Sequence, residues 1–339
     1  MPRKSVHKNT WKETQSRTKN KKTTKLAILV LSAIAALLIV GQMINLLHAL
    51  LSPWKIDQKR NYTWDQNLAI NLVIKNSTFD FLSYIPSDKK ITIIHLPDNL
   101  IVDVPFGMGK WQLGSVYDLG ETNKKGDGSY LIKQTVSTLL GVNVDGILEF
   151  RKGGFDDFRK DLNMITLLQN LKSDLTVWEI LNLKLALSAA SFDKVKKLNL
   201  EDLLVLDKGS LADGTKIYTY DPVKIDSIVS NITDPLIREE HKSIAVLNAT
   251  EKPLLAQSAS RLITNLGANV IIISNSNSKS NKSYILGGKS KTVDRLIQIF
   301  DKSKCSQDKS CVKISPNQLG VDIQRVEIVV VLGEDYLKK

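Results

Sequence analysis

The chain has 339 residues, of which 42% are hydrophobic and 24% are charged. This composition excludes a wholly disordered chain, and the length suffices for about two domains of ~150 residues each. The formal net charge is +12, but nine basic side chains and one acidic side chain give residues 1–25 a charge of +8 and leave +4 for the other 314 residues. The positive charge therefore belongs to the N-terminal segment and does not indicate a nucleic-acid-binding face on the folded part.

Residues 26–51 contain no Asp, Glu, Lys or Arg. A helix of this length rises ~1.5 Å per residue and measures about 39 Å, which exceeds the ~30 Å hydrocarbon core of a bilayer. We therefore predict a single transmembrane helix. A cleaved signal peptide is the alternative, but the apolar run is long for one and no small-residue cleavage motif follows it.

The orientation of this helix follows from its flanks, because the side rich in Lys and Arg stays in the cytoplasm. Residues 1–25 supply that basic flank. The sequence thus predicts a single-pass cell-membrane protein with a cytoplasmic N-terminus and an extracytoplasmic body. Trp54, Tyr62 and Trp64 are expected at the outer interface of the bilayer. Membrane lipid is then a partner and nucleic acid is not, while the sequence names no protein partner.

The two cysteines, Cys305 and Cys311, are close in sequence. In an oxidising compartment such a pair tends to form a disulfide, which we predict here. Zinc is the alternative, but it would need two further ligands and no His lies nearby.

The body begins after a polar and aromatic linker, residues 52–66. Its strand-like runs alternate or are continuously apolar, and its helical runs have apolar residues every three to four positions. The predicted strands are 67–74, 91–96, 100–105 and 142–150, and the predicted helices are 128–141, 155–171 and a third that starts with Ser173 or Asp174 as N-cap. This order predicts a mixed α/β (α+β) body over residues 67–237.

A second pattern follows the polar, Pro-containing segment 231–242. "SIAVLN", "NVIIIS", "YILGG" and "VEIVVVLG" are strand-like, whereas "PLLAQSASRLITNLG" and "KTVDRLIQIF" are helical. The order β-α-β-β-α-β predicts a two-layer C-terminal domain over residues 241–339.

Motifs for catalysis or metal binding are weak. "GGKS" precedes a helix, but the position of the first P-loop glycine is Ser283. The four histidines lie far apart in sequence, so they predict neither a metal cluster nor an obvious general base. His95 is expected to be a strand residue near a turn. We expect no cofactor and no metal site in the chain.

The end of the chain resembles the C-terminal domain of LytR proteins, whose signature is a strand that ends in Asn-Gly-Thr or similar, a helix, and a final strand that runs into V-V-L-G-x-D. The positions of this signature are held here by Asn248, Thr250, Leu332, Gly333 and Asp335. Ala249 stands where glycine is usual. The resemblance covers the chain from residue 243 on.

Residues 67–160 are similar to the catalytic domain of the LytR-CpsA-Psr family. "ITIIHLPDNLIVDVP" is similar to the strand-turn-strand that carries I-P-R-D-T, "GKWQLGSVYDLGE" to the stretch around K-I-N-x-x-Y-x-x-G-G, and "LIKQTVSTLLGVNVDGILEF" to T-V-x-x-L-L-G-I-x-V-D. Pro97 occupies the place of the family proline, but Asp98 occupies that of its arginine. Lys110 corresponds to the family lysine, and Arg151 and Arg159 are candidates to approach the same site.

The resemblance implies a function in the cell envelope. Active members transfer a glycopolymer from a polyprenyl pyrophosphate to peptidoglycan with the help of arginines and a divalent metal, which neutralise the departing lipid phosphate. An acid in place of an arginine would repel that pyrophosphate. The first hypothesis is therefore a non-catalytic binder of lipid-linked glycan, peptidoglycan or another envelope partner, with no catalytic residue.

Two other hypotheses stay open. One is an active transferase in which Lys110, Arg151 and Arg159 replace the missing arginines and Mg²⁺ is required. The other is an assembly module that acts through the C-terminal domain.

Overall fold

A computed structural model describes residues 10–50, 62–122, 127–160, 170–300 and 325–338. It contains two compact units, Met1–Trp54 and Lys55–Lys339. Cys305 and Cys311 lie outside the described residues, so their disulfide stays a prediction.

The first unit contains helix α1, Thr10–Leu50. Its stretch Lys25–Leu46 is long and apolar enough to cross a membrane, and none of this stretch is buried against the rest of the protein. At ~1.5 Å per residue these 22 residues span about 33 Å, slightly more than the hydrocarbon core. The helix begins inside the basic segment, earlier than the apolar run alone predicts.

The body of the second unit contains ten strands and six helices among its described residues. The strands are β1 Ile70–Lys75, β2 Phe79–Ile85, β3 Lys90–Leu96, β4 Ile101–Val104, β5 Gly109–Gln112, β6 Gly146–Phe150, β7 Leu171–Ser173, β8 Val195–Asn199, β9 Leu206–Ser210 and β10 Lys216–Tyr220. The helices are α2 Leu113–Thr122, α3 Gly128–Leu140, α4 Phe155–Lys160, α5 Val177–Ala189, α6 Pro222–Val229 and α7 Pro235–Glu240.

Six of these strands form one mixed sheet in the order β7-β6-β1-β2-β3-β8. Strands β1 and β6 are parallel, as are β3 and β8, whereas β2 is antiparallel to both of its neighbours and β7 to β6. Strands β1, β3, β6 and β8 therefore end at one edge of the sheet. The central strands β1, β2, β3 and β6 are mostly buried because helices cover both sides of the sheet, whereas the edge strands β7 and β8 expose lysines.

Two cores lie on opposite faces of the sheet. Helices α2, α3 and α6 contribute to one core, which includes Val73 and Phe81. Helices α4 and α5 contribute to the other, which includes Leu72 and Leu82. Neighbouring residues of one strand alternate between the two cores, as the pleat of a strand requires.

Trp64 belongs to the second core rather than to a membrane interface. Its ring is 4% exposed and packs edge-on against Tyr84, with 6.0 Å between the ring centroids. Its indole N–H donates to the carbonyl of Leu68 and its backbone N–H donates to Glu179. The expectation that Trp64 lies at the bilayer interface was wrong, because these contacts fix it inside the body.

The predicted helix over 128–141 is confirmed as α3, with Gly141 at its C-cap in the left-handed conformation. The helix predicted from residue 155 is described as far as Lys160, and Leu171 already belongs to β7. The N-cap of α5 is Thr176, which forms a capping box with Glu179. Ser173 and Asp174 were therefore the wrong N-caps, and β2 was missed.

The C-terminal domain has the predicted element order. It consists of β11 Ser243–Asn248, α8 Leu255–Asn265, β12 Asn269–Asn275, β13 Tyr284–Gly287, α9 Lys291–Phe300 and β14 Ile328–Leu332. The sheet order is β12-β11-β14-β13, in which β11 is parallel to both neighbours and β13 is antiparallel to β14. Helices α8 and α9 pack on one face of this sheet.

A buried ion pair joins the C-terminal domain to the body. Arg295 of α9 donates through Nη2 to Asp145 at 2.8 Å, and both side chains are at most 1% exposed. Burial by itself lowers the pKa of Arg295, but the charge of Asp145 and its hydrogen bond raise it above the ordinary value, so the guanidinium stays charged. Asp145 also accepts from the backbone N–H of Asn71 and from Tyr62.

A second contact joins α8 to the end of α3. Arg261 pairs with Asp226 and donates to the carbonyls of Thr138 and Leu139, so it caps α3 from outside. A Cβ at Gly141 would lie 2.7 Å from the amide of Asn265 on α8. Glycine is thus favoured at this C-cap for two reasons. The backbone is left-handed, and a side chain would collide with Asn265.

Replacing Arg295 with Met should lower the free energy of unfolding by about 3–5 kcal/mol, because Asp145 would keep its buried charge without a cation. Urea unfolding of the full chain in detergent micelles measures this change. Arg238→Met at an exposed position is the matched control and should change stability by less than about 0.5 kcal/mol. Equal effects of the two substitutions would contradict the assigned role of Arg295.

Candidate functional site

The edge at which β1, β3 and β6 end is the candidate site. Ligands of α/β proteins bind outside the carboxyl ends of such strands, where the connecting loops and helices diverge. Lys75 ends β1, the Pro97 turn follows β3, and Glu149 lies near the end of β6. Lys75 and Glu149 are direct partners in the parallel pairing of β1 with β6.

The stretch after β3 is a fixed turn. The carbonyl of Pro97 accepts from the N–H of Leu100 at 3.1 Å, and the carbonyl of Asp98 accepts from the N–H of Gly114 at 2.9 Å. Asn99 donates to the carbonyl of Lys216 and accepts from the N–H of Tyr218. The backbone of this turn is therefore held by α2 on one side and by β10 on the other.

Asp98 is exposed at this turn. Partial burial of its carboxyl raises the pKa of Asp98, and the nearby His95 opposes that effect. His95 lies on β3, as expected for a strand residue near a turn, and its Nδ1 is 2.7 Å from Asp80 on β2. A carboxylate thus occupies the position where the resemblance places a guanidinium.

Glu149 is the centre of a polar cluster at the end of β6. Its Oε2 accepts from the hydroxyl of Tyr117 on α2 at 2.8 Å, and its Oε1 accepts from Ser129 in the first turn of α3. Lys172 on β7 lies 3.5 Å from Oε1 and donates to the Tyr117 oxygen at 3.2 Å. Both carboxylate oxygens are therefore engaged, which holds Glu149 in one orientation although it is almost fully buried.

Two cations flank Tyr117. The ammonium of Lys75 lies 3.9 Å from the centroid of its ring, and that of Lys172 lies 5.9 Å from it. Burial and then Glu149 raise the pKa of Tyr117, so the phenol keeps its proton. Burial alone would lower the pKa of Lys172, but Tyr117 and Glu149 outweigh it and raise that pKa. Lys172 therefore stays charged beside Glu149 and Tyr117.

The three predicted cationic residues do not come together. Arg151 directly follows β6 and is exposed, so it belongs to the same edge as Glu149. Lys110 is exposed on β5, opposite Asp103 in the β4–β5 hairpin. Arg159 donates to the carbonyls of Leu187 and Ala190 at 3.0 and 2.7 Å. It therefore caps the end of α5 on the other face of the sheet.

Sequence reasoning missed Lys75, Tyr117, Ser129, Glu149 and Lys172. Tyr117 and Gly120 fit the Y-x-x-G part of the family stretch, but Tyr117 lies two residues farther from Lys110 than the K-I-N-x-x-Y spacing requires. The others come from elements whose adjacency depends on strand order. In the part of the chain that the structure describes, His, Cys, Asp and Glu form no group of three or more that could hold a metal ion.

The signature residues of the C-terminal domain hold its loops. Asn248 accepts from the N–H and hydroxyl of Thr250 and donates to the carbonyl of Lys252, which closes the turn after β11. Asp335 accepts from the N–H and hydroxyl of Ser283. Leu332 is buried at the end of β14.

Gly333 is the tightest of these positions. A Cβ there would lie 2.4 Å from the carbonyl carbon of Lys282 and 2.8 Å from the carbonyl oxygen of Ser280. Its N–H donates to the hydroxyl of Ser283 at 2.9 Å. The signature therefore fixes the Ser/Asn-rich loop before β13 against the end of β14.

Residues 242–336 match the family model described as "LytR cell envelope-related transcriptional attenuator". The C-terminal domain is a LytR C-terminal domain. No curated protein matches the chain.

Solved structures resemble the chain more distantly. TagT of Bacillus subtilis is 14% identical, with a TM-score of 0.37 over 51% of this chain and 94% of TagT. The LytR-CPS2A-psr family protein YwtF (TagT) with bound octaprenyl pyrophosphate lipid is 13% identical, with a TM-score of 0.36 over 51% of this chain and 93% of that chain. A transcriptional regulator of Enterococcus faecalis is 12% identical, with a TM-score of 0.36 over 60% of this chain and 88% of that chain.

Replacing Glu149 with Gln should lower the pKa of Tyr117, because the carboxylate raises it through a hydrogen bond and through charge. Burial of the phenol would still keep that pKa above its ordinary value. Titration of the tyrosine ring carbons by NMR measures it, with the exposed Glu201→Gln as control. An unchanged pKa of Tyr117 would show that the two side chains are not coupled.

Replacing Gly333 with Ala should lower the free energy of unfolding by about 1–3 kcal/mol, because the new methyl group overlaps the Lys282 backbone. Gly288→Ala is the matched control in the same domain, since nothing lies within 4 Å of its Cβ position. Urea unfolding followed by circular dichroism compares the two. The steric account fails if the two variants are equally stable.

Proposed function

We propose that this chain is a membrane-anchored, extracytoplasmic cell-envelope protein of the LytR-CpsA-Psr type, which binds a polyprenyl-pyrophosphate-linked glycan or a related wall polymer without transferring it. Three observations support the proposal. The chain has a LytR C-terminal domain, an apolar helix long enough to cross a membrane, and body segments that resemble the family motifs.

The observation that carries the binding role is the cluster around Glu149. Lys75 and Lys172 flank the neutral phenol of Tyr117, and Arg151 follows on the same edge. A pyrophosphate is a dense anion, and ammonium or guanidinium groups bind it through charge-assisted hydrogen bonds. The edge therefore offers cations to a lipid-linked phosphate group.

The same cluster argues against transfer. Tyr117, Ser129 and Lys172 engage both carboxylate oxygens of Glu149, so this carboxylate is not poised to ligate a metal or to accept a proton. Asp98 adds negative charge where departure of a lipid phosphate requires positive charge. Arg159, a candidate for relocated charge, is held at the end of α5.

The test uses the full chain in proteoliposomes, incubated with a polyprenyl-pyrophosphate-linked glycan and Mg²⁺. We expect the glycolipid to bind and no polyprenyl monophosphate to be released. Lys75→Ala combined with Lys172→Ala should weaken binding by at least about tenfold, because two charge-assisted contacts are lost. Lys208→Ala combined with Lys289→Ala removes the same charge at exposed positions elsewhere and serves as the control.

Each other outcome contradicts part of the proposal. Release of monophosphate above a protein-free control would establish a transferase that works without the family arginines. Unchanged binding in the Lys75/Lys172 variant would remove the sheet edge as the site. Absence of both binding and release would leave an interaction role for the C-terminal domain.

A further inference from the structure

Helix α5 packs against the core and also leaves two large apolar side chains exposed. Its buried residues are the apolar Ile180, Leu183 and Leu187 together with the polar Glu179, Asn182 and Lys184. Its outward face carries Trp178 and Leu185, which are seven residues and thus about two turns apart and are 51% and 68% exposed. Phe192 follows three residues after the end of the helix and is 90% exposed. We call Trp178, Leu185 and Phe192 the α5 stripe.

The buried polar groups of α5 have structural reasons to be there. Glu179 accepts from the N–H groups of Trp64 and Thr176, and Lys184 donates to the carbonyl of Phe158 at 2.6 Å. These two buried charged side chains are therefore satisfied by hydrogen bonds. No contact among the described residues of the body explains why the apolar side chains of the α5 stripe are exposed. Large apolar groups on a protein surface often mark an interaction site.

Basic side chains lie at one end of the stripe. Lys194 and Lys196 lie two and four residues after Phe192 and are exposed, with the acidic Asp193 between Phe192 and Lys194. An aromatic and aliphatic line with lysines at its end is typical of segments that lie in the interface of an anionic bilayer. Their ammonium groups can reach the lipid phosphates while the apolar groups lie below them.

The Trp178 end of the stripe lies near Trp64, where the chain enters the body. Trp64 is bound to Glu179 in the first turn of α5, next to Trp178. Residues 47–61 alone separate this entry point from the apolar stretch Lys25–Leu46. A bilayer is therefore available to this face at high effective concentration.

From the exposed apolar side chains at α5, the lysines and the entry point of the chain, we infer that the α5 stripe lies in the interface of the bilayer in which α1 is anchored. The lipid surface covers Trp178, Leu185 and Phe192, and Lys194 and Lys196 bind anionic headgroups. The inference rests on the membrane anchor of the proposed function and not on its ligand.

The test places an environment-sensitive NBD fluorophore at one end of the stripe. Phe192→Cys is labelled in the full chain with Cys305→Ser and Cys311→Ser, and the protein is reconstituted into phosphatidylcholine–phosphatidylglycerol vesicles. The control position is Leu204→Cys, because Leu204 is 87% exposed and precedes Val205 and Leu206 of the core on the other face of the sheet. Vesicle flotation reports the α1 anchor separately.

We expect the label at 192 to emit at shorter wavelength than the label at 204. Lipids brominated about 5–10 Å below the headgroups should quench it about twofold, because interfacial segments reach that depth. Adding Trp178→Ser and Leu185→Ser should return the emission to that of the label at 204. The chain should float in every case.

Three results would overturn the inference. Equal emission at 192 and 204 in floating protein would show that the stripe faces water. A blue shift that brominated lipid does not quench, and that grows with the protein-to-lipid ratio, would assign the stripe to a second copy of the chain. Failure of the chain to float would remove the membrane anchor itself and with it this inference, whereas loss of glycolipid binding alone would leave the inference intact.

Discussion

The carboxylate of Asp145 is the contact on which the arrangement of the second unit depends. It lies directly before β6, binds the backbone of Asn71 in β1, accepts from Tyr62 where the chain enters the body, and pairs with Arg295 of the C-terminal domain. One buried charge thus connects four segments that are far apart in sequence. A buried ion pair contributes little net stability compared with apolar packing, but each partner makes the loss of the other costly. The pair therefore specifies how the LytR C-terminal domain docks.

The candidate site lies at the opposite end of the same strands. Asp145 precedes β6 and Glu149 lies near its end, so the docking contact and the polar cluster are joined by a single strand. In the cluster, as at Asp145, several donors hold one carboxylate, here that of Glu149. Here, however, the surrounding cations Lys75 and Lys172 are only partly engaged by the protein. The first carboxylate joins two domains, and the second holds the cluster to which the proposed function assigns ligand binding.

The sequence predicted the C-terminal domain well because each of its elements has a clear period and its turns carry Gly, Asn and Ser. The helix α3 was equally readable, since Gly141 marks its end. Strand β2 was missed because "FDFLSYI" mixes polar and apolar residues and follows β1 after a short turn. The N-cap of α5 was misplaced because Ser173, Asp174 and Thr176 are all acceptable caps, and only the capping box with Glu179 decides among them.

The candidate site could be predicted only in part. The Pro97 turn and Asp98 were visible from motif order. Glu149, Ser129 and Lys172 were not, because their proximity requires the pairing of β6 with both β1 and β7. Arg159 was selected because it is close to the motifs in sequence. In the structure it caps α5 on the other face of the sheet.

The most direct measurement is the identity of the lipid that copurifies with the full chain from its own membranes, determined by mass spectrometry. The account predicts an intact polyprenyl-pyrophosphate-linked glycan on the wild-type protein. It also predicts loss of that lipid when Lys75 and Lys172 are replaced by Ala. A polyprenyl monophosphate on the wild-type protein would contradict binding without transfer, and an intact glycolipid that the double variant retains would contradict the site.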